Sequence, residues 1–398
     1  MLLAASSTAG GLAMMAVPTL GRAQAKRLKA GIILPLSGVL SFPGIATRRG
    51  SEVALKMFAE QGSDIEAVWA DTESKPENGR VAAERLIRDG CTVLIGAWDS
   101  GATISAAQAC EAAKVPLVVN VASAPQLTEQ GFTQIFSNFP RADTIVANGL
   151  EHFKGLLGPQ FQPKTAVLMH VNDTFGQAVA GAVKALWKKF GVGIEILDTI
   201  SYDARARDLS VEVGKAKATG AELLAPVTRV NDAILIVREM VKQAWNPMAI
   251  YGPSSPGPYE KAFTDALGKY ANDYLVSVPW YDQRRPLTRQ VLERWKKAYP
   301  DARLELNSGF GWESIQIVAD AFKRAGSTAP ADLHAALRKT SITEHIMTGG
   351  PIAFNEKGLN TNIAVPLLQV RDQEPVVVAP KDFAQTTVRL PMARWDAR

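Results

Sequence analysis

The feature that most constrains this chain is an alternation of strand-like and helix-like segments that runs once from residue 28 to 119 and, after a break near residues 141–144, again from 165 to 251. Apolar runs fall at 28–34, 65–70, 92–95 and 117–119, with amphipathic stretches at 45–61, 78–89 and 102–113 between them. After the break, strand candidates at 165–170, 192–200, 223–226 and 249–251 alternate with helical patterns at 175–190, 209–218 and 231–243. Strands separated by a helix pair in parallel through right-handed crossovers, so each run predicts an α/β doubly wound sheet. The halves repeat in architecture without a repeated sequence motif, which excludes a solenoid.

A chain of 398 residues suits two lobes of ordinary domain size. Hydrophobic residues at 47% and charged residues at 21% exclude a disordered chain and a polytopic membrane protein. The net charge of +5 is dispersed, with no basic block, so no nucleic-acid partner is expected.

Residues 1–20 are apolar or small and are followed by Gly21, Arg22, Ala23, Gln24 and Ala25. An Ala-x-Ala ending of this kind reads as an export signal over residues 1–25, lacking its positive n-region, with Lys26 opening the mature chain. An uncleaved anchor is the alternative. Export permits a disulfide, but Cys91 opens a strand and Cys110 lies on the returning helix, so two buried thiols are expected rather than a bridge. The C-terminal third carries helical patterns at 287–299, 312–325 and 331–339, a hairpin-like segment at 351–370, and a tail after Phe383 that reads as loosely packed.

Four segments carry a resemblance to a known family: GIILPLSG with the following FPG (31–44), GAWDSGAT with VPLVVNVASAPQL (96–127), HVNDTFGQ (170–177) and MTGGPIAFNEKG (347–358). In order and spacing they resemble the branched-chain amino acid binding proteins, the periplasmic receptors of ABC importers, over nearly everything from Leu28 to Val378. The resemblance implies a type I periplasmic binding protein fold, with two discontinuous lobes joined by a hinge that the chain crosses three times. It places the first lobe at 28–141 plus 280–346, the second at 144–278 plus 349–383, and a tail at 384–398. It also implies a periplasmic monomer that binds a small molecule, works with membrane permease subunits, and needs no cofactor.

In open parallel sheets ligands bind beyond the carboxyl ends of the strands, where helix N-termini converge. The loop at 96–103 occupies such a position, and a helix N-terminus with the Ser100 hydroxyl suits a carboxylate. The resemblance puts the carboxylate-binding serine on Ser100, its hydroxyl partner on Ser123 and a backbone donor near Val121, with Thr103 beside them. Ser100 as a simple helix cap is the alternative. Trp98 and Phe42 are expected to flank the carboxylate, with Phe175 facing them from the second lobe; Trp98 as lobe core is the alternative.

The other end of the pocket departs from the family. Ser254 stands where an acidic residue would meet an amino group, and Arg229 replaces an aromatic residue. A buried ammonium without a carboxylate partner is costly, so the expected ligand is a carboxylate lacking an α-amino group, an aromatic or aliphatic acid, unless Asp99 or Asp143 stands in and a hydrophobic amino acid binds. Arg229 is either a second anchor or a solvated side chain.

Nothing motivates catalysis. The four histidines, His152, His170, His334 and His345, are scattered, and no Walker loop, GxSxG elbow or dinucleotide-binding glycine pattern occurs. A hydrolase using Ser100 would need a nearby base, and none is evident. A ligand-sensing regulator of the same fold remains the second reading.

Overall fold

A computed structural model describes residues 27–398; the export-signal reading of residues 1–25 lies outside them. The first run folds as β1 (Leu28–Leu34), α1 (Ser41–Glu60), β2 (Ile65–Asp71), α2 (Asn78–Arg88), β3 (Val93–Ile95), α3 (Ser100–Ala113), β4 (Leu117–Val119), the single turn α4 (Gln126–Glu129) and β5 (Ile135–Ser137). These strands form a parallel sheet in the order β2-β1-β3-β4-β5. The interior strand β1 is buried along almost its whole length, as a strand covered by helices on both faces must be, whereas the edge strand β2 is only half-buried.

The second run contributes α5 (Ala142–Lys154), β6 (Thr165–Val171), α6 (Thr174–Trp187), β7 (Glu195–Tyr202), α7 (Ser210–Ala218), β8 (Leu223–Val227), α8 (Val230–Lys242), β9 (Ala249–Pro253), α9 (Lys261–Leu267) and β10 (Leu275–Ser277). Next come α10 (Pro286–Ala298), α11 (Leu306–Ala325), α12 (Pro330–Arg338), the short strands β11 (Ser341–Ile342) and β12 (Ile352–Ala353), and finally β13 (Leu367–Arg371) and β14 (Glu374–Ala379). The second sheet runs β14-β13-β10-β9-β8-β6-β7, parallel except where β13 and β14 join antiparallel at one edge. The fold is therefore two-lobed α/β with parallel-dominated sheets, as the alternation predicts.

The chain does not finish one lobe before starting the next. After β10 it returns to the first lobe, where the long helix α11 packs along α1. Gly50 and Gly311 allow this contact, because a Cβ on either would lie about 2 Å from a backbone carbonyl oxygen of the opposing helix. The connections that follow β10 and precede β12 run side by side: Thr348 N donates to Trp280 O at 2.8 Å, and Tyr281 bridges Met347. Glu313 of α11 sits fully buried beside them. Its Oε1 accepts from Ile346 N (3.1 Å), Met347 N (2.9 Å) and His345 Nδ1 (3.2 Å), and its Oε2 from Asn138 Nδ2 (2.7 Å). One carboxylate thus fastens α11 to the segment after β5 and to the segment before β12.

Two expectations are corrected. The late hairpin is β13–β14, turning at Asp372 and Gln373, both with positive φ, while β12 pairs with β11. No glycine marks that turn, so its signal is weak in the sequence. The tail after Phe383 is not loose: Met392 and Trp395 are buried in the second lobe's core, and Trp395 Nε1 donates to Trp245 O at 2.7 Å. Apolar residues spaced without period gave no hint of this anchoring. Cys91 and Cys110 are both buried with free thiols, and burial pushes the Cys110 thiol up to about 12. No helix among the described residues is long and apolar enough to cross a membrane.

Candidate ligand-binding site

The loop after β3 turns sharply into α3. Gly96 has φ +145°, and a Cβ there would meet Ile33 O at 2.4 Å, so only glycine lets β3 end against β1. Asp99 caps the helix, its Oδ1 accepting from Ala102 N at 3.1 Å. Ser100 is the first helical residue, 2% exposed, and its hydroxyl has no partner among the described residues. The cap alternative for Ser100 is therefore excluded.

The loop after β4 supplies Ser123, 3% exposed and likewise without a partner. Asn120 joins the two loops, its Oδ1 accepting from Trp98 N at 3.2 Å and from Val121 N at 2.7 Å. Opposite them Ser254 follows β9 in a left-handed conformation, φ +53°. Its neighbour Ser255 is engaged by Thr228 N at 2.7 Å and by the Thr228 hydroxyl at 2.9 Å, whereas Ser254 is 3% exposed with a free hydroxyl.

These three hydroxyls line one cavity between the lobes. Its remaining wall is mainly apolar: Trp98, Val121, Phe139, Val278 and Leu306 with Phe175, Pro256 and Tyr259. Hydroxyls that open on a cavity with no protein partner favour a ligand able to accept their hydrogen bonds.

Arg229 closes one end. It caps α8 and is itself capped, its N–H donating to Asp232 Oδ1 at 2.8 Å. Its guanidinium donates to Asp99 Oδ2 across the lobes at 2.9 Å and to Asp173, the N-cap of α6, and lies 4.9 Å from the Phe175 ring centre and 5.8 Å from that of Trp98. Arg229 and Asp99 face both the cavity and a wider groove outside it, so the ion cluster forms the partition between them. Burial raises the Asp99 carboxyl above its ordinary range, with Arg229 opposing that shift and Asp173 adding to it. For Arg229, burial acts downward but the aspartates prevail and hold its pKa above the usual value.

Seven of the nine sequence-predicted residues therefore meet at the cavity: Trp98, Ser100, Val121, Ser123, Phe175, Arg229 and Ser254. Thr103 does not. Its hydroxyl donates to Asp99 O at 2.7 Å and accepts from Ala97 N at 3.0 Å, holding the loop from within. Phe42 is 56% exposed and faces a separate groove. Val121 contributes its side chain to the wall, but its N–H is engaged by Asn120 rather than free. Arg229 is neither solvated nor an unpaired anchor. Phe139, Pro256, Tyr259, Val278 and Leu306 were not anticipated, since isolated apolar residues outside strands carry no positional signal. His170 lies outside the cavity wall, its Nδ1 3.0 Å from Val171 O.

The family model described as periplasmic binding protein matches residues 27–374. This chain belongs to that family. The Leu/Ile/Val-binding protein homolog 1 of Brucella abortus is 25% identical over 358 residues, covering 87% of this chain and 91% of that protein. The leucine-, isoleucine-, valine-, threonine- and alanine-binding protein of Pseudomonas aeruginosa is 22% identical over 347 residues, covering 84% and 87%. Among solved structures, a leucine-binding protein from Thermotoga maritima superposes with a TM-score of 0.77 at 19% identity, covering 89% of this chain and 99% of that one. A solute-binding protein of an ABC transporter from R. palustris, in complex with benzoate, gives a TM-score of 0.78 at 17% identity, covering 89% and 96%. As a periplasmic binding protein the chain has a solute-binding role, and the interlobe position of its cavity agrees with that role.

Proposed function

We propose that this protein is the exported, non-catalytic receptor of an ABC importer and that it closes around a small carboxylate without an α-amino group, an aromatic or aliphatic acid. The observation that carries this reading is the set of partners left inside the cavity. The Ser100 hydroxyl at the N-terminus of α3 and the Ser123 hydroxyl on the loop after β4 are both free on the cavity, where a carboxylate gains hydrogen bonds and the α3 dipole. The one carboxylate in the wall, Asp99, is committed to Arg229 and to the cap of α3. Asp143, the other candidate for an ammonium partner, pairs with Arg141 at 2.7 Å and is absent from the wall.

The ligand docks first on the lobe that carries Ser100 and Ser123, and closure then brings Phe175, Ser254 and the Arg229 partition over it. The lobes comprise residues 28–141 with 280–346 and residues 144–278 with 349–383, the tail 384–398 packing on the second. A second reading, a hydrophobic amino acid as ligand, is favoured by the names of the curated relatives.

A thermal-shift screen of the chain from Lys26 onward separates the two. An acid at about 100 times its Kd stabilises the native state by roughly 2.7 kcal/mol, a rise of a few degrees or less at this size. Benzoate or an aliphatic acid is expected to raise Tm while leucine leaves it unchanged; a rise with leucine overturns the ligand class.

A further inference from the structure

A second polar cluster bridges the lobes behind the cavity, and the reading above leaves it unused. Glu260, at the N-terminus of α9 in the second lobe, is 2% exposed, and Glu305, at the N-terminus of α11 in the first, is 6% exposed. Both line the groove that runs between α1 and α9. Asn307 stands beside them: its Nδ2 is 3.3 Å from Glu305 Oε1, and its Oδ1 accepts from Trp98 Nε1 at 2.9 Å. Glu260 Oε2 is buried and has no hydrogen-bond partner.

The surrounding charges do not neutralise this pair. Lys261 is held by both oxygens of Asp265 at 2.7 Å. Arg303 donates to Tyr259 O and Gln373 O and pairs with Glu374 at 2.7 Å, while the Arg49 guanidinium lies over the Tyr299 ring. Asp232 and Asp301 add negative charge from α8 and from the turn before α11. The Tyr259 hydroxyl, also buried and unpaired, is a neutral neighbour.

We propose that the lobes close with uptake of one proton shared between Glu260 and Glu305, so that closure is favoured in mildly acidic medium and weakened in alkaline medium. Two buried carboxylates that face one groove from opposite lobes, with the nearby guanidinium groups engaged elsewhere, are costly to ionise together, and a proton also gives Glu260 Oε2 the donor it lacks. Burial foremost, then the charge of Glu305, pushes the Glu260 carboxyl well above its ordinary range. Burial likewise pushes Glu305 up to about 7, against the opposing pull of Asn307, Arg303 and Arg49.

When the lobes part, both carboxyls meet water and return toward an ordinary value of about 4.3. A group whose pKa is raised in the closed state favours closure fully below the open-state value. That advantage is lost as pH rises through the closed-state value. The closed-to-open ratio thus falls by up to about tenfold per pH unit between roughly pH 5 and 7.

The test needs no ligand and is independent of which solute is bound. The radius of gyration of the ligand-free chain is measured by small-angle X-ray scattering from pH 5 to 8.5 for wild type and for a double variant, Glu260→Gln with Glu305→Gln. Glu260 makes no side-chain cap bond to α9, and in Glu305→Gln the amide oxygen can still accept from Asn307, so both helices are left intact. Wild type is expected to expand as pH rises and the variant to hold one radius throughout. A wild-type radius that does not change, or an equal expansion in the variant, overturns the proposal.

Discussion

Asp99→Asn tests the interlobe partition with little collateral change. The amide keeps the acceptor that caps α3 toward Ala102 N and nearly the same shape, while the position facing Arg229 across the cleft loses both its charge and its acceptor to an NH2 group. At 2.9 Å the Coulomb attraction is about 6 kcal/mol for an effective dielectric of ~20. Desolvation of the buried partners offsets much of it, and Asp173 still neutralises the guanidinium, so a net loss of about 2 kcal/mol is expected, below the ~3–5 kcal/mol of an orphaned buried ion. Because Asp99 and Arg229 belong to opposite lobes, the loss falls on the closed state alone. It should therefore appear as roughly 30-fold weaker ligand binding, with little change in the unfolding midpoint of the ligand-free chain. Isothermal titration with the acid identified by the thermal screen measures the first, and urea unfolding the second. Wild-type affinity in Asp99→Asn would refute the argument. So would a stability loss equal to the affinity loss, since the ion pair would then belong to the fold and not to closure.

Ser100→Ala removes a hydroxyl placed for a charged acceptor and should weaken acid binding by about 1.5–3 kcal/mol, roughly 10- to 150-fold by titration. Phe42→Ala, on a side chain exposed outside the cavity, should leave affinity unchanged. Glu313→Ala strips Ile346 N, Met347 N and Asn138 of their buried acceptor and should lower unfolding stability by ~3 kcal/mol or more in urea titration. A value below about 1 kcal/mol would mean that water takes over the carboxylate's role.

Legibility from sequence follows the range over which each interaction acts. Strand and helix periodicity is local, so the two runs, the parallel sheets and the placement of Ser100 and Ser123 at strand ends could be read from residues 28–34, 92–103 and 117–124 alone. The same holds for the missing acid at Ser254, because a substitution within a recognisable segment needs no coordinates to be seen.

Contacts between residues far apart in the chain could not be read this way. Asp99 meets Arg229 only where the two lobes face each other, and Asn307 reaches Trp98, as Glu305 reaches the groove that Glu260 lines, only because the chain returns to the first lobe after β10. The sequence shows each of them as an isolated polar residue with nothing to mark its partner. Thr103 and Phe42 lie off the cavity wall for the complementary reason. Proximity to the loop was legible, but the direction of each side chain depends on backbone turns at Trp98 and at the start of α1.

The sequence by itself determined the two doubly wound sheets, the strand ends where a ligand can bind, and the hydroxyls present there, because these depend on periodicity and residue type within short segments. Only the tertiary structure decided which of those groups remain free. Hydrogen bonding and burial are settled by neighbours brought in from the other lobe, and it is their placement that leaves Ser100, Ser123 and Ser254 open to a ligand while it commits Asp99 and Arg229 to each other.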